Sequence, residues 1–465
     1  MSALAAALAE RIGADRVSTS DADRQAASRD ESDLPPSLPE VVVRASSTED
    51  VLSVVELCRT RRVPLVPRGA GSSLEGNPIP SRGGVVLDLS AMNRMLSLRA
   101  EDLLVTVEPG IVYQSLNDKL KPFGLFFPPS PGGSADVATI GGMVANNASG
   151  IYALKYGGTK RHVLGLVAVT GAGEIIRTGH RCPKASSGYD LTALLCGSEG
   201  TLAVVTEVTL SLTGRPAHSR KVALGFSDET ACARAIAAMV GGGVDLAACE
   251  YLDARCMRAL NAYKGYGLAE SPALFLEAHS GTGPAVEDVI ATAIEVCASE
   301  GGAPLVLPAD PWEVRHWATR AIRALHPGTV TLRCDVAFPI GSLPDIVSLA
   351  HDLGAKKGLN LYAFGHAGLG IVHILIQESP EVAAFDRASE VKDQIVEAVI
   401  DRGGTCSGEH GIGLGNKRYM KREHGLALDV MRRVKAAFDP AGIMNPGKVL
   451  PDAPMALGDL GDLTR

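Results

Sequence analysis

The chain has 465 residues, and its 46% hydrophobic and 21% charged content is that of a globular protein with two or three packed domains. A formal net charge of -7 excludes the basic footprint of a nucleic-acid binder and a polybasic membrane patch, so an anionic ligand must be met by local cations. The nine cysteines form no C-x-x-C pair, which speaks against an iron–sulfur cluster or a structural zinc site and for reduced thiols in a cytoplasmic protein.

The opening MSALAAALAERIG has no basic leader, and Glu10 and Arg11 break its apolar run, so it reads as an amphipathic helix and not as a signal peptide. No stretch reaches the roughly 18 apolar residues of a membrane span, which leaves peripheral contact open. The polar segment from Asp21 to Pro39 reads as a loop. Glu40 to Ala45 reads as a buried strand, and Ser46-Ser47-Thr48-Glu49 ahead of an apolar 3.6-residue period predicts a helix over about 48–61. The strand VPLVP then leads into RGAGSSLEG, Arg68 to Gly76. Gly69-x-Gly71 invites a dinucleotide crossover, but Asn77-Pro78-Ile79-Pro80 and Gly83-Gly84 cannot form its helix, and a second strand, VVLDLS, follows at once. The segment is therefore a glycine loop between strands, with Arg68, Ser72 and Ser73 as further phosphate donors.

LLVTVEPG reads as a strand and turn, and IVYQSLNDKLKPFG as a helix closed by Gly124. From Pro131 to Gly165, glycines stand among Ser134, Ala135, Ala138, Ala145, Ala148 and Ser149, so the backbone can lie flat against a large planar ligand and turn its N–H groups inward as an anion nest. A flexible linker would lack the interspersed Ile140, Met143, Val144, Ile151 and Leu154, which need burial. VLGLVAVTGAGEIIRTG alternates as a hairpin, and GSEGTLAVVTEVTLSL supplies a tight turn and a long strand, which makes this half α+β. Arg215-Pro216 reads as a boundary. Beyond it, KVALGF, SDETACARAIAAMVGGG, DLAACEYLD, ALFLEAHS and AVEDVIATAIEVCASEG repeat the rhythm of a split ferredoxin-like unit.

His366 and His373 flank a glycine turn in FGHAGLGIVHILI. On an unbroken strand, residues seven apart face opposite sides; the glycines break the strand and let both imidazoles converge. SGEHGIGLGNKRYM adds Glu409 and His410. Two histidines and a carboxylate are a common divalent-metal set with open positions, the alternative being structural histidines bonded to backbone.

PRGAGSSLEG, PGGSADVATIGGMVANNASG, YGGTKRHVLGL and CGSEGTLAVVTEVTL, in that order, resemble the FAD-binding domain of the vanillyl-alcohol oxidase/p-cresol methylhydroxylase superfamily, in its D-lactate/glycolate/D-2-hydroxyglutarate dehydrogenase branch. The resemblance runs from about Pro39 to Val449 and implies an α+β architecture. A two-subdomain FAD-binding domain of PCMH type would occupy 1–217 and a ferredoxin-like, substrate-binding cap 218–420, with a C-terminal segment, 421–465, returning to the FAD domain; its last fifteen residues, with three Asp and two Pro, read as a frayed end. It implies FAD held by Arg68, Gly69, Ala70, Gly71, Ser72 and Ser73, with Gly141 and Gly142 also at the pyrophosphate. Pro131, Ala145, Asn147, Ser149, Gly150, Gly200 and Thr201 would line the flavin and ribityl chain, and Asn445 would lie near the flavin. Attachment would be non-covalent, leaving His162 structural.

By the same resemblance His366, His373 and Glu409 would bind zinc or manganese. The family's H-x-G-D-G-N-x-H motif here carries Leu369 and Ile371 in place of its Asp and Asn, which removes polar support around the ligands. His410 would be the general base, taking the hydroxyl proton while hydride leaves C2 for flavin N5, and Arg320 and Arg333 would hold the substrate carboxylate. The implied reaction is oxidation of a small D-2-hydroxy acid, lactate-like first, then glycolate or D-2-hydroxyglutarate, with an unidentified electron acceptor and a homodimer as an allowed assembly. Two alternatives share the architecture. An alkylglycerone-phosphate-synthase-like transferase would use adjacent histidines, absent here; a flavin-binding subunit of a multi-chain glycolate oxidase could dispense with Glu409-His410.

Overall fold

The computed structural model describes residues 2–451, without the side chains of 382–385. The expected fraying of the C-terminal end lies outside the described residues, Pro451 apart. Val41–Arg44, Val85–Asp88 and Leu65–Arg68 form a parallel sheet in that order, edged by antiparallel Val17–Ser18. Parallel strands are covered on both faces, which is why Val41, Val42 and Val43 run apolar without alternation. The helix Thr48–Arg61 covers one face through Val51, Val54, Val55 and Cys58; Ser47 caps it by accepting from Asp50 N–H. Asp21–Ala26, read as loop, is a helix. Ser20 caps it, Asp21 and Asp23 sit in its first turn, and it buries no residue, so no apolar period announces it.

A second, antiparallel sheet runs Met95–Arg99, Leu104–Val107, Ala203–Ser211, Val163–Thr170, Ile175–Gly179. The glycine-rich stretch is not a flat ribbon along its length. Thr139 accepts from Gly142 N–H and starts the helix Ile140–Asn146, which buries Ile140, Met143 and Val144.

The C-terminal half is built on seven antiparallel strands in the order Ala303–Pro304, His218–Gly225, Ala273–Ser280, Leu246–Leu252, Asn360–Gly365, Ile371–Glu378, Val330–Ala337. Helices Glu229–Gly241, Gly283–Ser299, Leu343–Lys357 and Val382–Asp401 share one core with one face of the sheet. Ala254–Lys264, Pro311–His316 and Ala318–Leu325 pack on the other. Beyond the expected rhythm, Asp253 caps Ala254–Lys264 by accepting from Cys256 N–H, inserting a helix between two strands. The chain then returns: Leu65 N–H donates to Ile443, and Asn445 N–H to Leu65, so the C-terminal segment extends the first sheet's edge. All nine cysteines are free thiols, and all but Cys182 are buried.

Candidate active site

Between the two N-terminal sheets and the loop 409–410 lies a cavity of about 1330 Å³, open mouth included. The expected nucleotide residues line it, other than Asn147, Gly150 and Thr201. Among the described residues, the N–H groups of Ala70, Gly71, Ser72 and Ser73 donate to no acceptor in the chain, leaving a nest of free donors suited to a pyrophosphate. At Gly69 a Cβ would stand 2.3 Å from Thr139 Oγ1, so no side chain can narrow the cavity there. The Arg68 guanidinium donates to the carbonyls of Ala26 and Arg29, bracing this loop from behind. Unsatisfied N–H groups on residues that line a large, glycine-walled cavity fit FAD.

The excluded residues do local work. Asn147 ends the helix Ile140–Asn146 at φ 52 and accepts from Lys160 N–H, and Thr201 donates to the Ser198 carbonyl. Gly150 N–H donates to Glu409 Oε2 at 2.8 Å. His162 lies outside the cavity, its ring nitrogens near the carbonyls of Tyr156 and Ser211. Asn445 donates to the carbonyls of Asn77 and Glu199, closing the cavity floor.

At the cavity wall the strands Asn360–Gly365, Ile371–Glu378 and Val330–Ala337 deliver the histidines. Phe364, His373 and Asp335 form one rung across the sheet, and the tight turn at Gly370 returns the chain so that His366 and His373 converge. His366 Nε2 lies 3.2 Å and His373 Nε2 3.5 Å from Glu409 Oε1, and one donor atom from each residue lies within 4.8 Å of the others. Each imidazole is held from behind: Nδ1 of His366 meets Glu250 at 2.6 Å, and Nδ1 of His373 meets Asp335 at 3.1 Å. A carboxylate behind Nδ1 presents Nε2 as the ligand, so the donor set fits a divalent ion. The polar support missing at Leu369 and Ile371 thus comes from Glu250 and Asp335 on neighbouring strands.

The charges follow from this packing. Burial disfavours the His366 cation, but Glu250 and Glu409 outweigh it and push the imidazole up to about 10. The surrounding histidines overcome burial at Glu409 and hold its carboxyl well below the carboxylate range. His410 stacks on His373, with ring centroids 5.0 Å apart and planes 5° apart, and borders the nucleotide cavity. Burial holds its imidazole below the ordinary value, so it is neutral and able to accept a proton. Its Nδ1, 3.7 Å from Asp335, is buried without a hydrogen-bond partner.

The two expected arginines part company. Arg333 sits on the face of the strand Val330–Ala337 that carries Asp335, two residues away, and pairs with Asp33 at 3.4 Å. Arg320 is exposed, its guanidinium over the Trp317 ring in a separate groove shared with His316 and Arg323. The buried arginine nearby is Arg315, which pairs with Glu250 at 3.0 Å and lies over the Phe364 ring. Glu250, Asp335, Arg315 and Glu199 were not singled out from the sequence. A lone acid in an apolar strand, as in LAACEYL, is the signal by which Glu250 could be found.

Family models for the FAD binding domain and for the C-terminal domain of FAD linked oxidases match residues 39–179 and 215–449. The chain is 37% identical, over 94% of its length and 90% of the relative's, to a probable mitochondrial D-lactate dehydrogenase of Danio rerio. It is 36% identical to the mitochondrial D-lactate dehydrogenase [cytochrome] of Arabidopsis thaliana, over 89% of this chain and 74% of that one. Against glycolate oxidase subunit GlcD of Bacillus subtilis (strain 168) the identity is 33%, over 94% of each. The solved structure of p-cresol methylhydroxylase with substrate bound superposes with a TM-score of 0.80 at 16% identity, over 97% of this chain and 96% of that one, a likeness of fold.

Proposed function

The chain belongs to the FAD-linked oxidase family and is an FAD-dependent oxidoreductase; we propose that its electron donor is a small D-2-hydroxy acid, lactate-like first, with glycolate or D-2-hydroxyglutarate next. The observation that carries this reading is the meeting of His366, His373, Glu409 and His410 at the wall of the nucleotide cavity, through bonds from Ser149 and Gly150 to Glu409. Bound FAD supplies the hydride acceptor. A zinc or manganese ion on His366, His373 and Glu409 would supply a Lewis acid for the substrate's oxygens.

The chain's own residues do the rest. The N–H groups of Ala70 to Ser73 bind the pyrophosphate, and Ser149 fixes the wall beside Glu409. His410 Nε2 takes the hydroxyl proton, and Asp335, 3.7 Å from its Nδ1, stabilises the imidazolium that results. Arg333, on the strand face that carries Asp335 and close enough for its charge to act on His410, is the cation for the substrate carboxylate; its partner Asp33 is partly exposed, whereas Arg315 is held by the fully buried Glu250 and Arg320 faces solvent.

A second reading, the flavin-binding subunit of a multi-chain glycolate oxidase, draws on the identity with GlcD and calls for partner chains. Among the described residues no helix is long and apolar enough to cross a membrane, and with its free thiols we place the protein in the cytoplasm, at most peripheral to a membrane. A panel of D- and L-2-hydroxy acids, assayed on the purified flavoprotein with an artificial acceptor, tests the reading. Turnover confined to D-acids and lost on chelation is expected; turnover with none of them refutes it.

A further inference from the structure

Glu199 is a buried carboxylate that forms no ion pair among the described residues, yet it lines the nucleotide cavity. It sits in the left-handed region at φ 53, its N–H donating to Ala145 and its carbonyl accepting from Asn445 Nδ2. Backbone strain at a non-glycine residue persists where the surroundings demand that conformation. Here the demand is visible. Its carboxylate accepts from Asn77 Nδ2 at 2.5 Å, Ile412 N–H at 2.6 Å and Gly413 N–H at 2.8 Å. The last two lie on the loop that carries His410. At Gly411, between them and the base, a Cβ would stand 2.8 Å from Glu199 Oε1, so the loop approaches this close only as glycine.

On the other side of the base, Asp335 Oδ2 accepts from the N–H groups of Glu409 and His410, both at 2.8 Å. His410 is thus pinned between two buried carboxylates, Asp335 from the C-terminal sheet and Glu199 from the nucleotide half. Asp335 relates the base to the histidine pair; Glu199 relates it to the cofactor cavity. Reading His410 as the base, we propose that Glu199 is a positioning residue that registers His410 against the nucleotide cavity. A misplacement of the order of 1 Å in such a group costs about 100-fold in rate. Glu199→Gln preserves the shape but turns an NH2 toward a backbone N–H that needs an acceptor.

The test is a double-mutant cycle on the FAD-loaded protein. Wild type, Glu199→Gln, His410→Ala and the double variant are compared in the anaerobic rate of flavin reduction by D-lactate, and in FAD Kd by fluorescence titration. We expect Glu199→Gln to slow reduction by about 10- to 100-fold with FAD Kd changed less than about 3-fold, and to add less than about 3-fold in the His410→Ala background. Equal losses in both backgrounds, or a loss matched by weaker FAD binding, would overturn the assignment. If His410→Ala alone reduces flavin at the wild-type rate, the base reading itself falls, separately from Glu199. Should Glu199→Gln not fold, Asn77→Ala removes one of the three donors, and the same non-additive pattern at about 3-fold is required of it.

Discussion

Ser149 Oγ donates at 2.6 Å to Glu409 Oε2, while Glu409 Oε1 faces His366 Nε2 at 3.2 Å, so one carboxylate joins the nucleotide wall to the histidine centre across 260 residues of chain. A hydrogen bond to a charged group contributes about 1.5–3 kcal/mol. Ser149→Ala leaves Gly150 N–H as the remaining donor to Oε2 and loosens the wall. FAD Kd, measured by fluorescence titration, is expected to rise about tenfold or more. An unchanged Kd would show that the wall does not depend on this bond.

Glu250 orients His366 and neutralises Arg315, all three buried. Glu250→Gln removes the charge between them and leaves Arg315 buried without its anion. Breaking such a pair costs about 3–5 kcal/mol, read as a lowered Tm. Loss of the orienting carboxylate lowers metal affinity by about 10- to 100-fold, read by competition with a zinc chelator. A variant as stable as wild type and unaltered in zinc affinity contradicts the role given to Glu250.

Lys448 donates to the Ile79 carbonyl and to Asn445 Oδ1, and burial, against the pull of Glu199, brings its ammonium down to about 8. Between that value and its ordinary 10.5 the unfolded chain holds a proton that the folded chain has released. Stability therefore rises with pH across that window, by at most about 3 kcal/mol from this group. Relative to Lys448→Met, the wild type should gain stability from pH 8 to 10 in denaturant unfolding. Parallel curves would show that Lys448 titrates normally.

His410→Ala should retain FAD at near wild-type affinity, because its imidazole makes none of the bonds that brace the loop Arg68–Ser73, and should lose turnover by about 100-fold or more. Unchanged turnover removes His410 from the chemistry.

Much of this arrangement is legible in the amino acids. The strands Val41–Arg44 and Leu65–Arg68, the helix Thr48–Arg61 and the glycine loops carry local signals of apolar runs, caps and turns. The convergence of His366 and His373 follows from the glycines between them. What distance in sequence hides is partnership. Glu250 and Asp335 stand behind the histidines through strand pairing set by the whole sheet, and no spacing links residue 250 to 366. Arg315 and Arg320 lie on successive short helices, and packing on Phe364, not composition, decides which is buried. Asn147, which the resemblance places at the flavin, lies outside the cavity lining; its side chain accepts from Lys160 N–H and its backbone ends a helix.

On the function we propose, the histidine centre presents a D-2-hydroxy acid to a flavin in the adjoining cavity. Anaerobic addition of D-lactate to the purified yellow protein, followed by its visible absorbance, tests it most directly. The flavin should bleach with D-lactate and stay oxidised with L-lactate. A protein that holds FAD yet stays yellow with D-lactate, glycolate and D-2-hydroxyglutarate alike would contradict it.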